Sequence, residues 1–235
     1  MEFTFLMPCL NEAETLEYVI SQVKSAIERL KLDAEILIAD NNSADDSAEI
    51  ATVNGARVIK VKNRGYGSAL IGGIKSAKGK YIIMGDCDGS YDFANPDLFI
   101  SELKKGAKLV VGDRFKGGIE KGAMSCSHRL GIPFLSALAR WRFKTDVRDF
   151  HCGLRAFERE SALKMNLSCQ GMEFATEIIA RFAQSGEKIS QVPTPLKCDK
   201  RSGKSHIRTV RDGFRHLKFI LFCNNVNIYD RRNEK

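Results

Sequence analysis

Tyr81-Ile82-Ile83-Met84-Gly85-Asp86-Cys87-Asp88-Gly89 is the stretch whose reading decides the fold. The run from Tyr81 to Met84 is short and apolar on both faces, as a strand in the middle of a parallel sheet must be. Gly85 ends it, and two carboxylates follow at i and i+2, so Asp86 and Asp88 project to the same side of an extended chain. Hard oxygen ligands in that arrangement suit Mg²⁺ or Mn²⁺ held jointly with substrate phosphates. A D-x-D triplet is common by chance. This one gains meaning from its place, because open α/β sheets bind ligands beyond the carboxyl ends of their strands.

Towards the N-terminus the pattern repeats. Phe3 to Met7, Glu35 to Ala39 and Arg57 to Val61 read as strands. Ala13, Leu16, Val19, Ile20, Val23, Ile27 and Leu30 recur at helical spacing between the first two, and Asp45 to Val53 and Tyr66 to Ala77 read as further helices. Asn11, with Glu14 three residues on, has the form of a capping box. Strands alternating with crossover helices predict a Rossmann-like, mostly parallel sheet flanked by helices.

Each strand of this half ends in a polar cluster: Pro8-Cys9-Leu10-Asn11-Glu12, Asp40-Asn41-Asn42-Ser43, Asn63-Arg64-Gly65-Tyr66-Gly67-Ser68, and the Asp86-Cys87-Asp88 triplet. Singly these are ordinary turn and cap residues. On one sheet edge they suit a nucleotide, with carboxylates and amides reading base and ribose, and glycine turns bringing N–H groups to phosphate. Leu70 stands where G-x-G-x-x-G needs its third glycine, and no Gly-Lys-Ser/Thr follows at the required spacing, which argues against dinucleotide and P-loop chemistry.

Beyond residue 95 the reading is mixed. Leu109 to Gly112 and Cys152 to Phe157 look extended, Glu173 to Ala183 helical, and His128 to Phe143 a helix interrupted near Pro133. The chain divides into a domain over 1–205 and a basic amphipathic helix with its tail over 206–235. That helix carries Phe214, Leu217, Ile220 and Leu221 among basic residues, and either lies on an anionic membrane surface or packs against the domain. The net charge of +8 is concentrated between Lys197 and Lys218, a phosphate-attracting cluster. The seven scattered cysteines form no CxxC pair, which argues against a disulfide framework or zinc site and fits a reducing cytosol. There is no basic leader and no apolar run near the ~20 residues that span a bilayer. The expected location is cytoplasmic, at most peripheral to the inner face of the membrane. Asp149, His151 and Cys152 invite a Cys–His reading, but sequence neighbours rarely adopt that geometry, and a structural role near the acceptor site is expected. Trp141 reads as a core or interface aromatic.

PCLNEAETL, DNNSADDS, NRGYGSAL and the Asp86-Cys87-Asp88 triplet, followed by VVGDRFKGG, DFHCGLRAF, GMEFATE and RSGKSH, resemble glycosyltransferase family 2 with its GT-A fold. The resemblance runs over roughly residues 3 to 220, to the branch of dolichol-phosphate mannosyltransferase and polyprenyl-phosphate glycosyltransferases. It implies that Asp40 and the turn Pro8, Leu10, Asn11 and Glu12 contact base and ribose, with Asn42, Gly65, Gly67, Ser68 and Cys87 completing the nucleotide site. It implies that Asp86 and Asp88 hold metal and diphosphate, that Arg114 and Arg155 lie near diphosphate or acceptor phosphate, and that Arg201 and Lys204 sit on a loop closing over the phosphates. The Gln-x-x-Arg-Trp motif of processive synthases is absent. Many relatives carry C-terminal transmembrane helices and residues up to Lys235 hold none, so membrane contact falls to the basic helix or to a membrane-protein partner.

The expected reaction is an inverting transfer of a hexose from a UDP- or GDP-sugar to a lipid phosphate. A phosphomonoester, with a second pKa of about 6, attacks without a base. A sugar or protein hydroxyl needs one, for which Glu173 and Glu177, four residues apart on one helix face, are candidates; they serve equally as cap and surface carboxylate. A sugar nucleotidyltransferase lacks its N-terminal glycine-rich signature here. A nucleic-acid-binding protein would explain the basic cluster but not the acidic strand ends, so no nucleic acid is expected as partner.

Overall fold

The computed structural model describes residues 1–202 and 209–223. β1 (Phe3–Cys9) runs through the centre of the sheet. Its odd residues Phe3, Phe5 and Met7 enter one core with α1 (Ala13–Leu30), while Leu6 enters the other. Burial on both faces explains the unbroken apolar run. α1 forms because Leu16, Val19, Ile20 and Val23 share a helical face, and all four are fully buried.

β2 (Ala34–Asp40), α2 (Ser47–Val53), β3 (Arg57–Lys60), α3 (Tyr66–Ser76) and β4 (Tyr81–Met84) complete a parallel half, with β1 paired in parallel to both β2 and β4. The chain continues through α4 (Asp97–Lys104), β5 (Leu109–Asp113), α5 (Arg114–Gly117), α6 (Cys126–Phe143), β6 (Arg155–Glu158), α7 (Arg159–Lys164), α8 (Phe174–Gln184), β7 (Ile189–Pro193) and α9 (Thr209–Phe222). Among the described residues the sheet has seven strands in the order β3-β2-β1-β4-β6-β5-β7. β6 is antiparallel to both neighbours, and β5 pairs in parallel with β7. β4 thus lies mid-sheet, and the Asp86-Cys87-Asp88 triplet leaves from its centre.

The capping box at the start of α1 does not form. Asn11 adopts φ 55°, and the cap position falls to Glu12, whose side chain makes no cap bond. The Ala13 N–H instead donates to Asp45 at 3.1 Å, and Glu14 is drawn away to Ser202. α6 begins at Cys126, where Ser125 accepts the His128 N–H, and it continues through Pro133 without interruption. Pro133 is exposed, so water can solvate the carbonyl that the missing N–H leaves unbonded. α9 divides its apolar residues. Ile220 is buried in the core, while Phe214, Leu221 and Phe222 face outward. No disulfide links the described cysteines, and no helix among the described residues is long and apolar enough to cross a membrane.

Candidate active site

The carboxyl ends of β1, β2 and β4 lie side by side, and the turns after them hold one another. Asn11 Oδ1 accepts the Ala44 N–H at 2.7 Å, Asp40 accepts the Ser43 N–H at 3.2 Å, and the Cys87 thiol donates to the Pro8 carbonyl. Leu10 and Asn42 lie on the open side, and Asn42 donates to the Val61 and Lys62 carbonyls. The sequence-predicted residues of this edge are therefore brought together.

Four carboxylates converge beside them. Asp88 accepts the Ser90 N–H and hydroxyl through one oxygen, at 2.9 and 2.6 Å, and meets Arg201 through the other at 3.3 Å. Arg201 also bonds Glu12 at 3.0 Å and pairs with Asp199. Asp86, facing the Tyr66 hydroxyl, lies next to this clasp. Burial, then the Asp88 charge, pushes its carboxyl up to about 6. Burial likewise pushes Glu12 up to about 7, against the pull of Arg201. Burial is the larger cause in both, and carboxyls displaced in this way are a signature of functional sites.

Residues 197–202 cover the clasp. The Lys197 N–H donates to the Ser90 carbonyl and the Lys200 N–H to the Asp88 carbonyl, both at 2.9 Å, while the Ser202 N–H reaches Glu14 at 2.8 Å. This segment brings Arg201 over the triplet. Lys204 lies outside the described residues.

Beyond the triplet opens a cavity of about 540 Å³, whose lining includes Asp86, Asp88, Arg201, Arg114, His151 and His216. The inner faces of α6 and α9 form its wall. Arg114 is buried and forms a fork with Asp149, at 2.7 and 2.8 Å, so it enters the cavity already oriented.

Three expected site residues face elsewhere, and their roles are corrected here. Arg155 is fully buried and donates to the Cys152, Ala175 and Phe150 carbonyls at 2.7–2.8 Å, so its guanidinium staples β6 to α8 rather than meeting phosphate. Glu177 is fully buried and accepts the Ser168 N–H and hydroxyl and the Cys169 N–H, which holds the loop before α8 and leaves no path to an acceptor. Glu173 lies outside the cavity lining and pairs with Arg215 of α9 at 3.3 Å. The glycine turn is likewise a packing device. A Cβ at Gly67 would stand 2.0 Å from the Cys169 carbonyl oxygen and one at Gly65 2.2 Å from that of Gln170, so this face is covered by backbone. Ser68 donates its N–H to the same Gln170 carbonyl.

Sequence reasoning gave no individual role to Asp199 or His216, and named Asn41 and Asp149 without the contacts they make. Asn41 accepts the Gly65 N–H and donates to the Val61 and Asn63 carbonyls, fixing the turn ahead of α3. A second acidic residue two places before Arg201 was the one available signal for Asp199. Nothing local marked the others, whose partners are distant in sequence.

The family profile described as glycosyl transferase family 2 matches residues 4–165. The chain belongs to this family. The chain is 34% identical over 218 residues to the low-salt glycan biosynthesis hexosyltransferase Agl6 of Haloferax volcanii, a match covering 92% of this chain and 52% of that relative. The chain thus spans about half the length of that relative. The dolichyl-phosphate hexose transferase of the same organism is 28% identical over 211 residues, covering 88% of this chain and 89% of the relative. Glucosyl-3-phosphoglycerate synthase from Mycobacterium tuberculosis, solved with Mn²⁺, UDP-glucose and phosphoglyceric acid, superposes with a TM-score of 0.72 at 23% identity, covering 93% of this chain and 79% of that one. At that identity the likeness is one of fold, the GT-A fold.

Proposed function

We propose that this glycosyltransferase moves a hexose from a nucleoside diphosphate sugar to a polyprenyl- or dolichyl-type lipid phosphate, with inversion. The observation that carries the reading is the clasp of Glu12, Asp88 and Asp199 about Arg201, with Asp86 beside it, at the carboxyl edge of the sheet and in the lining of the cavity. Asp86 and Asp88 would hold Mg²⁺ or Mn²⁺. The donor set fits, because the Asp86 carboxyl is displaced by burial and by Asp88, a cost that a bound cation removes. Among the described residues no group of three or more His, Cys, Asp and Glu side chains is arranged to hold an ion. The remaining ligands then fall to the donor's phosphate oxygens, the usual arrangement for Mg²⁺. The ion supplies neutralisation of charge on the departing diphosphate, and Arg201 is the guanidinium nearest to share that task.

The acceptor oxygen bonds to the anomeric carbon as the bond to the donor's diphosphate breaks, and that electron pair leaves with the nucleoside diphosphate. A phosphomonoester dianion has no proton to lose in this step. That choice of acceptor agrees with the engagement of Glu173 and Glu177 elsewhere, and with the dolichyl-phosphate relative.

A lipid acceptor requires the cavity to meet a membrane. The outer face of α6 exposes Leu130, Phe134, Ala137 and Trp141 at helical spacing, and neighbouring α9 exposes Phe214, Leu221 and Phe222. Exposed Arg129, Arg140, Arg211 and Lys218 accompany them. An apolar stripe among cations fits an anionic bilayer surface, and the inner faces of the same helices line the cavity. This favours peripheral attachment through the chain itself.

The test is calorimetric titration with UDP and GDP, with and without Mn²⁺, on wild type and Asp88→Asn. Metal-dependent binding of one nucleotide, lost in the variant, is expected. Binding of neither, or binding indifferent to metal and to Asp88, overturns the proposal.

A further inference from the structure

The cavity holds a pair of histidines that the transfer reaction as described does not use. The His151 ring stands 4.4 Å from the His216 ring, edge to face, with both lining the cavity. His216 Nδ1 shares a hydrogen bond of 2.8 Å with the buried Thr176 hydroxyl, which fixes that ring from behind. His151 has no such anchor. Both its ring nitrogens are buried and neither has a hydrogen-bond partner. Buried polar atoms are nearly always satisfied, so a ring that lines the cavity with both nitrogens unpartnered points to a ligand beside it.

The surroundings say what charge that ligand carries. The strongest charges acting on the His151 ring come from His216 on α9, Arg114 on α5, Arg155 on β6 and His128 on α6, all cations or potential cations. Asp149, whose carboxylate accepts the His151 backbone N–H, is already engaged by Arg114. Burial and these neighbours hold His151 well below the usual histidine range, and burial holds His216 down to about 4. The imidazoles are therefore neutral, and His151 has one N–H to give among cations that favour an anion. On His216 the charge acting most is instead the Asp212 carboxylate.

We propose that His151, backed by His216 and Thr176, receives the phosphate group of the acceptor within the cavity that Asp86 and Asp88 also line. A neutral imidazole donates to one phosphate oxygen, and Arg114 and the nearby cations offset the dianion's charge. This rests on the transfer reaction proposed above and assigns the acceptor's place in that same cavity. His151 acts here as a binding and specificity residue, leaving the attack itself to the phosphate oxygen.

The test uses the full chain with geranyl monophosphate as acceptor, geraniol as its phosphate-free counterpart, and the nucleotide sugar selected by titration. His151→Gln is expected to raise KM for geranyl phosphate about tenfold, as loss of one hydrogen bond to an ion does. Its kcat should stay within about threefold, as expected where only ground-state binding is lost. Mn²⁺-dependent nucleotide affinity should not change. An unaltered acceptor KM overturns the proposal, as does a rise in the donor's KM alone, which would assign His151 to the sugar. A collapse of kcat at constant KM, with geraniol turned over by wild type, makes His151 a base for a hydroxyl and also overturns it. Inorganic phosphate titrated into the wild-type protein, followed through the histidine C–H resonances, reads the same site without a variant. Shifts of the His151 and His216 rings are expected, with weaker effects than geranyl phosphate if the acceptor is a lipid. If nucleotides fail to bind while these rings still respond, the transfer reading fails and the phosphate site stands; if nucleotides bind and the rings are silent, the reverse holds.

Discussion

The two halves of the sheet hold their charged residues in opposite ways. In the parallel half, from β3 to β4, the carboxylates sit at strand ends in turns, and Asp88 and Glu12 share a single clasp around Arg201 with Asp86 beside them. In the half from β6 to β7, residues of equally suggestive sequence are turned inward. Arg155 and Glu177 are fully buried, and each is consumed by the backbone it fastens. A carboxylate after a parallel strand has nowhere to go but the ligand edge. One on a helix behind an antiparallel strand can be recruited to close a loop, and the surrounding N–H groups decide which happens.

The comparison breaks most visibly if the two kinds of carboxylate respond alike. Asp88→Asn is expected to cut transfer by about a thousandfold, the scale of removing one electrostatic stabiliser of a developing charge, with the melting temperature nearly unchanged. Glu177→Gln should do the reverse. It presents an amide N–H₂ to the Ser168 and Cys169 donors, at a cost of about 2–3 kcal/mol for spoiling hydrogen bonds to a buried charge. That corresponds to a melting point lower by roughly 4–12 °C in a chain of this size. Thermal melts beside turnover of the folded fraction separate the two. If Glu177→Gln abolishes turnover at full stability, Glu177 is a base after all and the contrast fails.

A sharper probe lies within the parallel half, in how the clasp responds to pH. The Asp86 carboxyl titrates near 6 when folded but near its ordinary 3.8 when unfolded, and Glu12 near 7 against 4.5. Between those values the folded state binds more protons than the unfolded, so stability falls as pH rises through that window. The metal-free protein should therefore melt several degrees lower at pH 7.5 than at pH 5. Asp86→Asn should flatten part of that slope and raise the melting point at pH 7.5. Mn²⁺ with nucleotide should restore the wild type at pH 7.5 and leave the variant unmoved. A metal-free melting point that rises from pH 5 to 7.5 by way of Asp86 would mean that the carboxyl is not under strain.

How much of this was legible follows the same division. The parallel half was readable because strand, turn and helix each announce themselves locally: YIIM, then Asp86 and Asp88, or the stripe from Leu16 to Val23. The edge they form follows from topology alone. The antiparallel insertion of β6 between β4 and β5 left no such mark, since RAFE pairs with strands some 45 to 75 residues away in sequence. Arg155 and Glu177 looked like site residues because type and motif show what a side chain can do, not which way it faces. His216 was invisible for the opposite reason. It lies within the basic stretch from Lys197 to Lys218, and only packing against Thr176 and His151 gives it a role.

The smallest expected effect concerns the outer surface, where α6 turns the comparison through its own thickness. Its inner residues Ile132 and Leu135 line the cavity, while Phe134 and Trp141 point to solvent. If the outer stripe sits in the headgroup region of a bilayer, Trp141→Ser should weaken binding to vesicles of mixed anionic and neutral lipid by about fivefold, near 1 kcal/mol for an aromatic that inserts only in part. Nucleotide binding should be untouched, because no atom of the clasp rests on Trp141. Phe134→Ser should act in the same direction, and raised salt should weaken the wild type further by screening Arg129, Arg140, Arg211 and Lys218. Co-flotation with vesicles measures all three. Equal flotation of wild type and both variants would mean that the stripe meets something other than lipid, and the outer face of α6 would then have to be explained by a protein surface rather than by the acceptor's membrane.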